Sequence, residues 1–139
     1  AFTVGLGAYA HEALTKDREA TQNPTRSLQD KGIVVSHGSD SAPYGPLLTL
    51  WTAVTRIGFD GKVHGPEEAV SLEEAIRLHT VAPAYFNFDE EVKGQIREGM
   101  LADWVVLSEN ILEMPPEQIR DIEVLETVIG GTEVRSQMN

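Results

Sequence analysis

The apolar run Ile33-Val34-Val35-Ser36-His37 leads directly into Gly38-Ser39-Asp40, and this stretch constrains the fold more than any other. Its first three residues are β-branched, and Gly32 precedes it as a helix stop, which predicts a short buried strand. Side chains at the carboxyl end of a parallel strand face the crevice where α/β proteins bind ligands. Asp40 is therefore a candidate functional carboxylate. The alternative is that Asp40 caps the following turn or helix.

Composition indicates a globular chain of one ordinary domain or parts of two. The 139 residues are 41% hydrophobic and 24% charged. The formal net charge of −11 argues against partners that need a basic face, such as nucleic acid or an anionic membrane. No apolar run approaches the ~20 residues of a membrane span. The absence of cysteine excludes disulfides and thiolate metal sites, and it suits the cytoplasm, where we expect the protein to be located.

Helix signals dominate the first 90 residues. Asn23-Pro24 predicts a helix start with Asn23 as the N-cap, and Gly32 predicts its end. Pro46 predicts the start of a second helix, whose apolar face carries Leu47, Leu48, Trp51, Val54 and Thr55. At this spacing we expect Trp51 to pack in the core rather than to stack on a ligand.

Two further helices are predicted between residues 71 and 90. Ser71 and Glu74 form a capping box, in which each side chain bonds the other residue's backbone N–H. Pro83 cannot lie deep inside a helix, so we expect a break near Thr80 and a new first turn that carries Pro83.

The last third of the chain carries strand and turn signals. Trp104–Leu107 is apolar on both faces, which predicts a fully buried strand. Gly130-Gly131 predicts a two-residue hairpin turn between strands over 124–129 and 132–135. We therefore divide the chain into an α/β part over residues 1–90 and a small β segment over residues 91–139.

The N-terminal residues and the four histidines carry weaker signals. Residues 1–4 are consistent with the end of a strand. His11 is expected on the surface and His64 in a solvent-facing loop, whereas His79 lies on an apolar helix face and is expected to be a partly buried structural residue. Alternation along the predicted strand places His37 towards the helices rather than beside Asp40.

Five segments follow one another in an order that resembles a known family. They are Gly38-Ser39-Asp40 with Pro43 downstream, then residues 51–56, 71–75, 80–84 and 93–103. Together they resemble the C-terminal part of the amidohydrolase superfamily, in particular the amidohydrolase family 3 branch. The resemblance covers about residues 23–135.

This resemblance implies the C-terminal part of a (β/α)8 metal-dependent hydrolase barrel, followed by part of a small β-sandwich domain. In such enzymes the eighth strand ends in an aspartate that binds a divalent metal, usually zinc, and accepts a proton from the attacking water. Asp40 matches that residue, so the resemblance implies both a catalytic and a metal-binding role for it. The substrate class implied is a small molecule with an amide-type C–N bond. Asp103 also recurs in the family, and we interpret it as a structural hydrogen-bond acceptor.

The sequence departs from the family because most of the metal ligands are missing. The His-x-His pair of the first strand is absent, and a complete barrel needs about 250 residues. One carboxylate cannot hold a zinc ion that takes three or four protein ligands. We therefore expect a C-terminal fragment, inactive alone, of an enzyme that is active when intact. The alternative is a non-catalytic remnant or assembly module. Either way, the exposed strand edge and apolar helix face predict self-association or contact with the rest of a parent chain.

Overall fold

The computed structural model of the chain describes residues 2–39 and 45–134. Six α-helices precede the sheet in the described residues: α1 (Phe2–Ala13), α2 (Lys16–Ala20), α3 (Thr25–Gln29), α4 (Pro46–Thr55), α5 (Leu72–His79) and α6 (Val81–Phe86). The strands are β1 (Trp104–Leu107), β2 (Val124–Ile129) and β3 (Thr132–Glu133). Short 3-10 helices lie at Pro66–Glu68, Ile111–Glu113 and Pro116–Asp121. This layout is a mixed helix and strand fold, and the barrel, the β-sandwich and the division at residue 90 stay predictions.

Local sequence signals account well for where α4, α5 and α6 begin and end. α4 starts at Pro46. At α5 the Ser71 hydroxyl accepts the Glu74 N–H at 3.2 Å, and the Glu74 carboxylate accepts the Ser71 N–H at 2.7 Å, which confirms the capping box. The helix breaks at Thr80, and α6 carries Pro83 in its first turn, as predicted.

The N-cap residue of α3 is not the one that the sequence predicts. Pro24, rather than Asn23, occupies the N-cap position, and Asn23 adopts a positive φ of 50°. Because the N-cap position belongs to Pro24, the assignment of Asn23 as N-cap was wrong. Gly32 follows the helix with φ 73°, which confirms that it ends this helical segment.

The core lies where α4 packs against α5 and the 3-10 helix at Pro116–Asp121. Trp51 is only 2% exposed there, which confirms its assignment to the core. The other buried apolar residues of this cluster are Leu50, Ala53, Val70, Ala75, Leu78 and Ile119. Their side chains come from both halves of the sequence, so the helical part and the β segment share one core.

The prediction of a strand before Asp40 was wrong. Residues 33–39 contain no assigned strand, and Ile33 and Val34 are about half exposed. The main chain at His37 instead donates to the carbonyl of Leu78, at the end of α5. A strand exists only when a neighbouring strand supplies hydrogen-bond partners, and the described residues supply none here. The N-terminal residues differ too, because α1 occupies the positions predicted as a strand end.

The sheet is antiparallel, in the order β1-β2-β3. The turn between β2 and β3 is the predicted Gly130-Gly131 pair, and both glycines have positive φ. The Asp103 carboxylate accepts the Gly130 N–H at 2.6 Å, which confirms its structural role. The prediction that β1 is buried on both faces was wrong, because Trp104, Val105 and Val106 are 39–53% exposed. β1 pairs only with β2, and the described residues cover neither face of it completely.

No helix in the described residues is both long enough and apolar enough to cross a membrane. The cytoplasmic location stays a prediction.

Candidate functional site

Asp40 lies outside the described residues, together with residues 41–44. Its carboxylate geometry is therefore not part of the structure, and its roles as general base and metal ligand stay predictions. The structure does describe the residues on both sides of this five-residue segment. Residues 33–39 lead into it, and α4 leaves it at Pro46.

The segment before Asp40 is attached to two helices through His37. The main-chain N–H of His37 donates to the Leu78 carbonyl at 3.0 Å. Its Nε2 lies 3.0 Å from the Thr25 hydroxyl, in α3. The His37 ring therefore faces the helices, as the alternation of the sequence predicted, although the segment is not a strand.

The helix that follows residues 40–44, α4, is attached to α5 through His79. The Nδ1 of His79 lies 2.7 Å from the Ala75 carbonyl and its Nε2 lies 2.9 Å from the Thr49 hydroxyl, in the first turn of α4. A carbonyl only accepts, so Nδ1 carries a proton. The His79 side chain is thus a partly buried structural residue, as predicted.

The two histidines also contact each other. The ring centroids of His37 and His79 are 5.5 Å apart, and the ring planes are nearly perpendicular. Burial, and to a smaller extent the nearby His79, lower the pKa of His37 to about 4. Burial also lowers the pKa of His79. Both rings are therefore neutral at pH 7, and the Thr49 hydroxyl beside Nε2 of His79 also donates to the Pro46 carbonyl at 2.9 Å. This neutral pair at α5 joins the residues that precede Asp40 to the helix α4, which follows residues 40–44.

The described residues do not form a metal site by themselves. They contain no group of three or more histidine, cysteine, aspartate or glutamate side chains that could hold a metal ion. Both ring nitrogens of His79 and one of His37 already have partners.

A second cluster of ionisable residues was missed from the sequence. His64 was expected to face solvent, but it is only 1% exposed, so that prediction was wrong. Its Nδ1 lies 3.1 Å from a Glu19 carboxylate oxygen, and its Nε2 lies 3.0 Å from Asp60 Oδ1. The same Glu19 carboxylate lies 3.0 Å from Nδ1 of the half-exposed His11. Glu19 is 45 residues from His64, so no local signal could have found this contact.

Arg56 is a buried cation beside this cluster, and it binds main-chain oxygens. It ends α4 in a left-handed conformation with φ 60°. Its guanidinium donates to the carbonyls of His64 at 2.9 Å and Gln22 at 2.7 Å. Burial lowers the pKa of Arg56, while the negative charge of Glu68 opposes that effect. This side chain joins the chain before α3 to the loop that follows α4.

Comparison with known proteins identifies the class of protein. The family model described as "Amidohydrolase family" matches residues 2–135. The chain therefore belongs to the amidohydrolase family, as the motifs of the sequence implied.

Individual relatives agree with the family match. The chain is 34% identical over 110 residues to an N-substituted formamide deformylase of Arthrobacter pascens, covering 78% of this chain and 20% of that protein. It is 35% identical over 125 residues to the putative amidohydrolase YtcJ of Bacillus subtilis (strain 168), covering 86% and 24%. It is 31% identical over 111 residues to an imidazolonepropionase of Kosmotoga olearia, covering 76% and 25%. The chain thus spans a quarter or less of the length of these curated relatives.

A solved structure agrees with the fold. The crystal structure of an amidohydrolase from Thermotoga maritima MSB8 has a TM-score of 0.61 to this chain at 20% sequence identity. The match covers 89% of this chain and 27% of that one.

Proposed function

We propose that this chain is the C-terminal portion of a metal-dependent amidohydrolase that cleaves an amide-type C–N bond in a small molecule. The observation that carries the proposal is the family match over residues 2–135, which includes the Gly38-Ser39-Asp40 segment. The relatives support the same reaction class, since one of them is an N-substituted formamide deformylase. The short coverage of those relatives supports the view that the remaining catalytic groups lie elsewhere in a longer protein.

In this proposal Asp40 binds a divalent metal, zinc in the first instance, and accepts a proton from the attacking water. A bound divalent metal lowers the pKa of its water towards ~7, which supplies a nucleophile at neutral pH. The role of this chain is then to supply one carboxylate, which serves as metal ligand and as general base within hydrogen-bond reach of that water.

The contacts around the loop support a positioned carboxylate. His37 holds the entry to the loop against α3 and α5, and His79 holds the first turn of α4 against α5. Because both rings are neutral at pH 7, they add no positive charge that would compete with a metal for the carboxylate. Catalytic groups need this kind of rigid support to act at the right distance.

The test is Asp40→Asn in the intact enzyme that contains this chain. Asparagine keeps the size and the capping ability of aspartate but removes its basicity. We expect turnover to fall by at least the ~10²–10⁴-fold typical of a lost general base, with folding retained. Asp30→Asn is the matched control, because it is the same change at an exposed position after α3 and should leave turnover unchanged. Near-normal turnover of Asp40→Asn with metal bound would refute the assignment and favour a cap.

A non-catalytic assembly module is the second candidate, and the exposed apolar sheet favours it. A groove of about 790 Å³ lies between α5–α6 and the sheet, and β1 lines it with Trp104 and Val105. A sheet this exposed is expected to be covered by a second copy or by the rest of a parent chain. Loss of catalysis in the intact Asp40→Asn enzyme would rule this candidate out as the sole function.

A further inference from the structure

The sheet and the helix pair α5–α6 face each other across an open space. This space is the groove of about 790 Å³, and we call it the sheet groove. Val81 and Pro83 line it from α6, and Trp104 and Val105 line it from β1. Trp104 and Val105 are 39% and 53% exposed, so this wall is open to solvent. The volume and the mainly apolar walls are typical of clefts that bind small molecules.

The loop over residues 92–101 forms a third wall of the sheet groove. The Leu101 N–H donates to the Val92 carbonyl at 2.8 Å, which closes the loop on itself. Gly94 has φ 96°, and a Cβ atom there would lie 2.9 Å from both the Ala84 Cβ and the Thr80 carbonyl oxygen. Only glycine permits this approach. The loop is therefore fixed against α5 and α6, and this wall does not depend on any further cover.

The sheet groove carries more positive than negative charge. Its charged lining residues are Arg77 on α5, Lys93 on the loop and Asp103 before β1. The Asp103 carboxylate already accepts the Gly130 N–H at 2.6 Å, and the Lys93 ammonium lies 2.7 Å from the Asp89 carboxylate. The Arg77 guanidinium has no hydrogen bond or ion pair within the described part of the chain. In a chain of net charge −11, this groove therefore suits an anion.

The Arg77 guanidinium also favours a small ligand over a protein cover. A protein segment laid over the apolar walls would exclude water from this guanidinium, and a buried charge without a partner is costly. A ligand with its own carboxylate supplies the partner, because a carboxylate matches the planar fork of an arginine with two hydrogen bonds. The apolar part of the same ligand can then cover the exposed side chains of β1.

We propose that the sheet groove binds an organic carboxylate with an apolar acyl chain. The carboxylate pairs with Arg77, and the acyl chain lies along Trp104 and Val105. This binding does not depend on the hydrolysis proposed for Asp40. Either proposal can therefore fail without the other.

The experiment titrates decanoate into the chain and into the intact enzyme that contains it, by calorimetry and by NMR of the indole N–H groups. The chain has two tryptophans, of which Trp104 lines the groove and Trp51 is buried in the core. We expect saturable binding of one decanoate per chain in both proteins, with a shift of the Trp104 resonance and none of the Trp51 resonance. Absence of saturable binding to the chain would overturn the proposal. Binding to the chain but not to the intact enzyme would show that the rest of the parent chain covers the groove, and would overturn it too.

One variant tests the role of the cation. Arg77→Gln removes the charge at an exposed position, so folding should be retained and the affinity for decanoate should fall about tenfold. Its affinity for the uncharged decanol should stay unchanged. Arg97→Gln is the matched control, because Arg97 is an exposed arginine on the same loop that does not line the groove. Equal binding of decanol and decanoate, or no effect of Arg77→Gln, would mean adsorption to an apolar surface and would contradict the proposal.

A second copy of the chain is the remaining occupant to test. Sedimentation of the chain with and without saturating decanoate distinguishes the two occupants. We expect an apparent mass that decanoate does not change. A lower mass with decanoate, together with an affinity that weakens as the chain concentration rises, would show that a second copy fills the groove and would refute the ligand.

Discussion

The guanidinium of Arg120 lies over the indole ring of Trp51, with 4.8 Å between the guanidinium carbon and the ring centroid. Trp51 is in α4, and Arg120 is in the 3-10 helix that precedes β2. Ile119, next to Arg120, is fully buried against the same helix. This contact ties the helical part of the chain to its β segment.

Trp51 and Arg120 should contribute very differently to stability. Trp51→Ala removes a buried aromatic side chain and should lower the free energy of unfolding by about 3–5 kcal/mol. Arg120→Gln keeps the aliphatic stem but removes the cation, which at a half-exposed position should cost about 0.5–1 kcal/mol. Urea denaturation of the two variants measures the difference. A loss below 1 kcal/mol for Trp51→Ala would contradict its place in the core.

Acid should weaken the contact between α3 and α5 through Glu74. Hydrogen bonds from Arg26, at 2.6 and 2.8 Å, and from the capping box lower the pKa of Glu74 to about 2. Because the folded-state pKa lies below the ordinary value of 4.5, the stabilisation is complete above about pH 5 and is lost as the pH falls towards 2. Glu74→Gln should flatten the dependence of the unfolding free energy on pH in that range. Glu73→Gln, on the exposed side of the same turn, is the control and should leave the slope intact.

Gly7→Ala should destabilise the protein, although alanine is the better helix former. Within an exposed helix this change normally adds about 1 kcal/mol of stability. Here the new Cβ would collide with the His64 ring at 2.5 Å. Thermal unfolding should show a lower Tm for Gly7→Ala, and a smaller effect of the same change in a His64→Ala background. A rise in Tm in the wild-type background would mean that α1 does not pack on the ring.

The isolated chain should not bind zinc tightly. The described residues contain no metal-binding cluster, and Asp40 alone is too few ligands for zinc. Equilibrium dialysis followed by elemental analysis should therefore find well under one tightly held zinc ion per chain. Stoichiometric zinc that survives dialysis would show that the ligand set is local, and the proposal of missing ligands would then be wrong.

The exposed sheet should drive association of the isolated chain. Val105 is 53% exposed on β1, whose far edge has no strand partner in the described residues. Val105→Lys should lower the apparent mass in sedimentation, because edge charges oppose pairing between sheets. Leu112→Lys is the control, since Leu112 is also more than half exposed but lies in the 3-10 helix at Ile111–Glu113. A wild-type chain that sediments as a monomer at all concentrations would contradict self-association. The exposed sheet would then have to be covered by the rest of a parent chain.

Several features of the fold could be predicted because their determinants lie within a few residues of one another. Ser71 and Glu74 are three residues apart, so the capping box is visible in the sequence. Pro46, with its fixed φ, marks the start of α4, and the Gly130-Gly131 pair marks the hairpin turn. The family was also accessible, because short motifs in a fixed order survive where overall identity is low.

Other features of the fold could not be predicted, because they depend on residues that are distant along the chain. Residues 33–39 have the composition of a strand, but strand formation needs hydrogen bonds from a neighbour, and His37 bonds to the end of α5 instead. β1 has the composition of a buried strand, yet burial depends on a cover that the described residues do not supply. His64 was expected in solvent and is buried, because Glu19 and Gly7 approach it from more than 40 residues away. The sequence by itself determined the starts of α4 and α5, the break before α6 and the hairpin turn, through contacts within one turn. The burial of His64 and the exposure of β1 were decided only by tertiary structure, because they depend on which distant groups exclude water from a side chain.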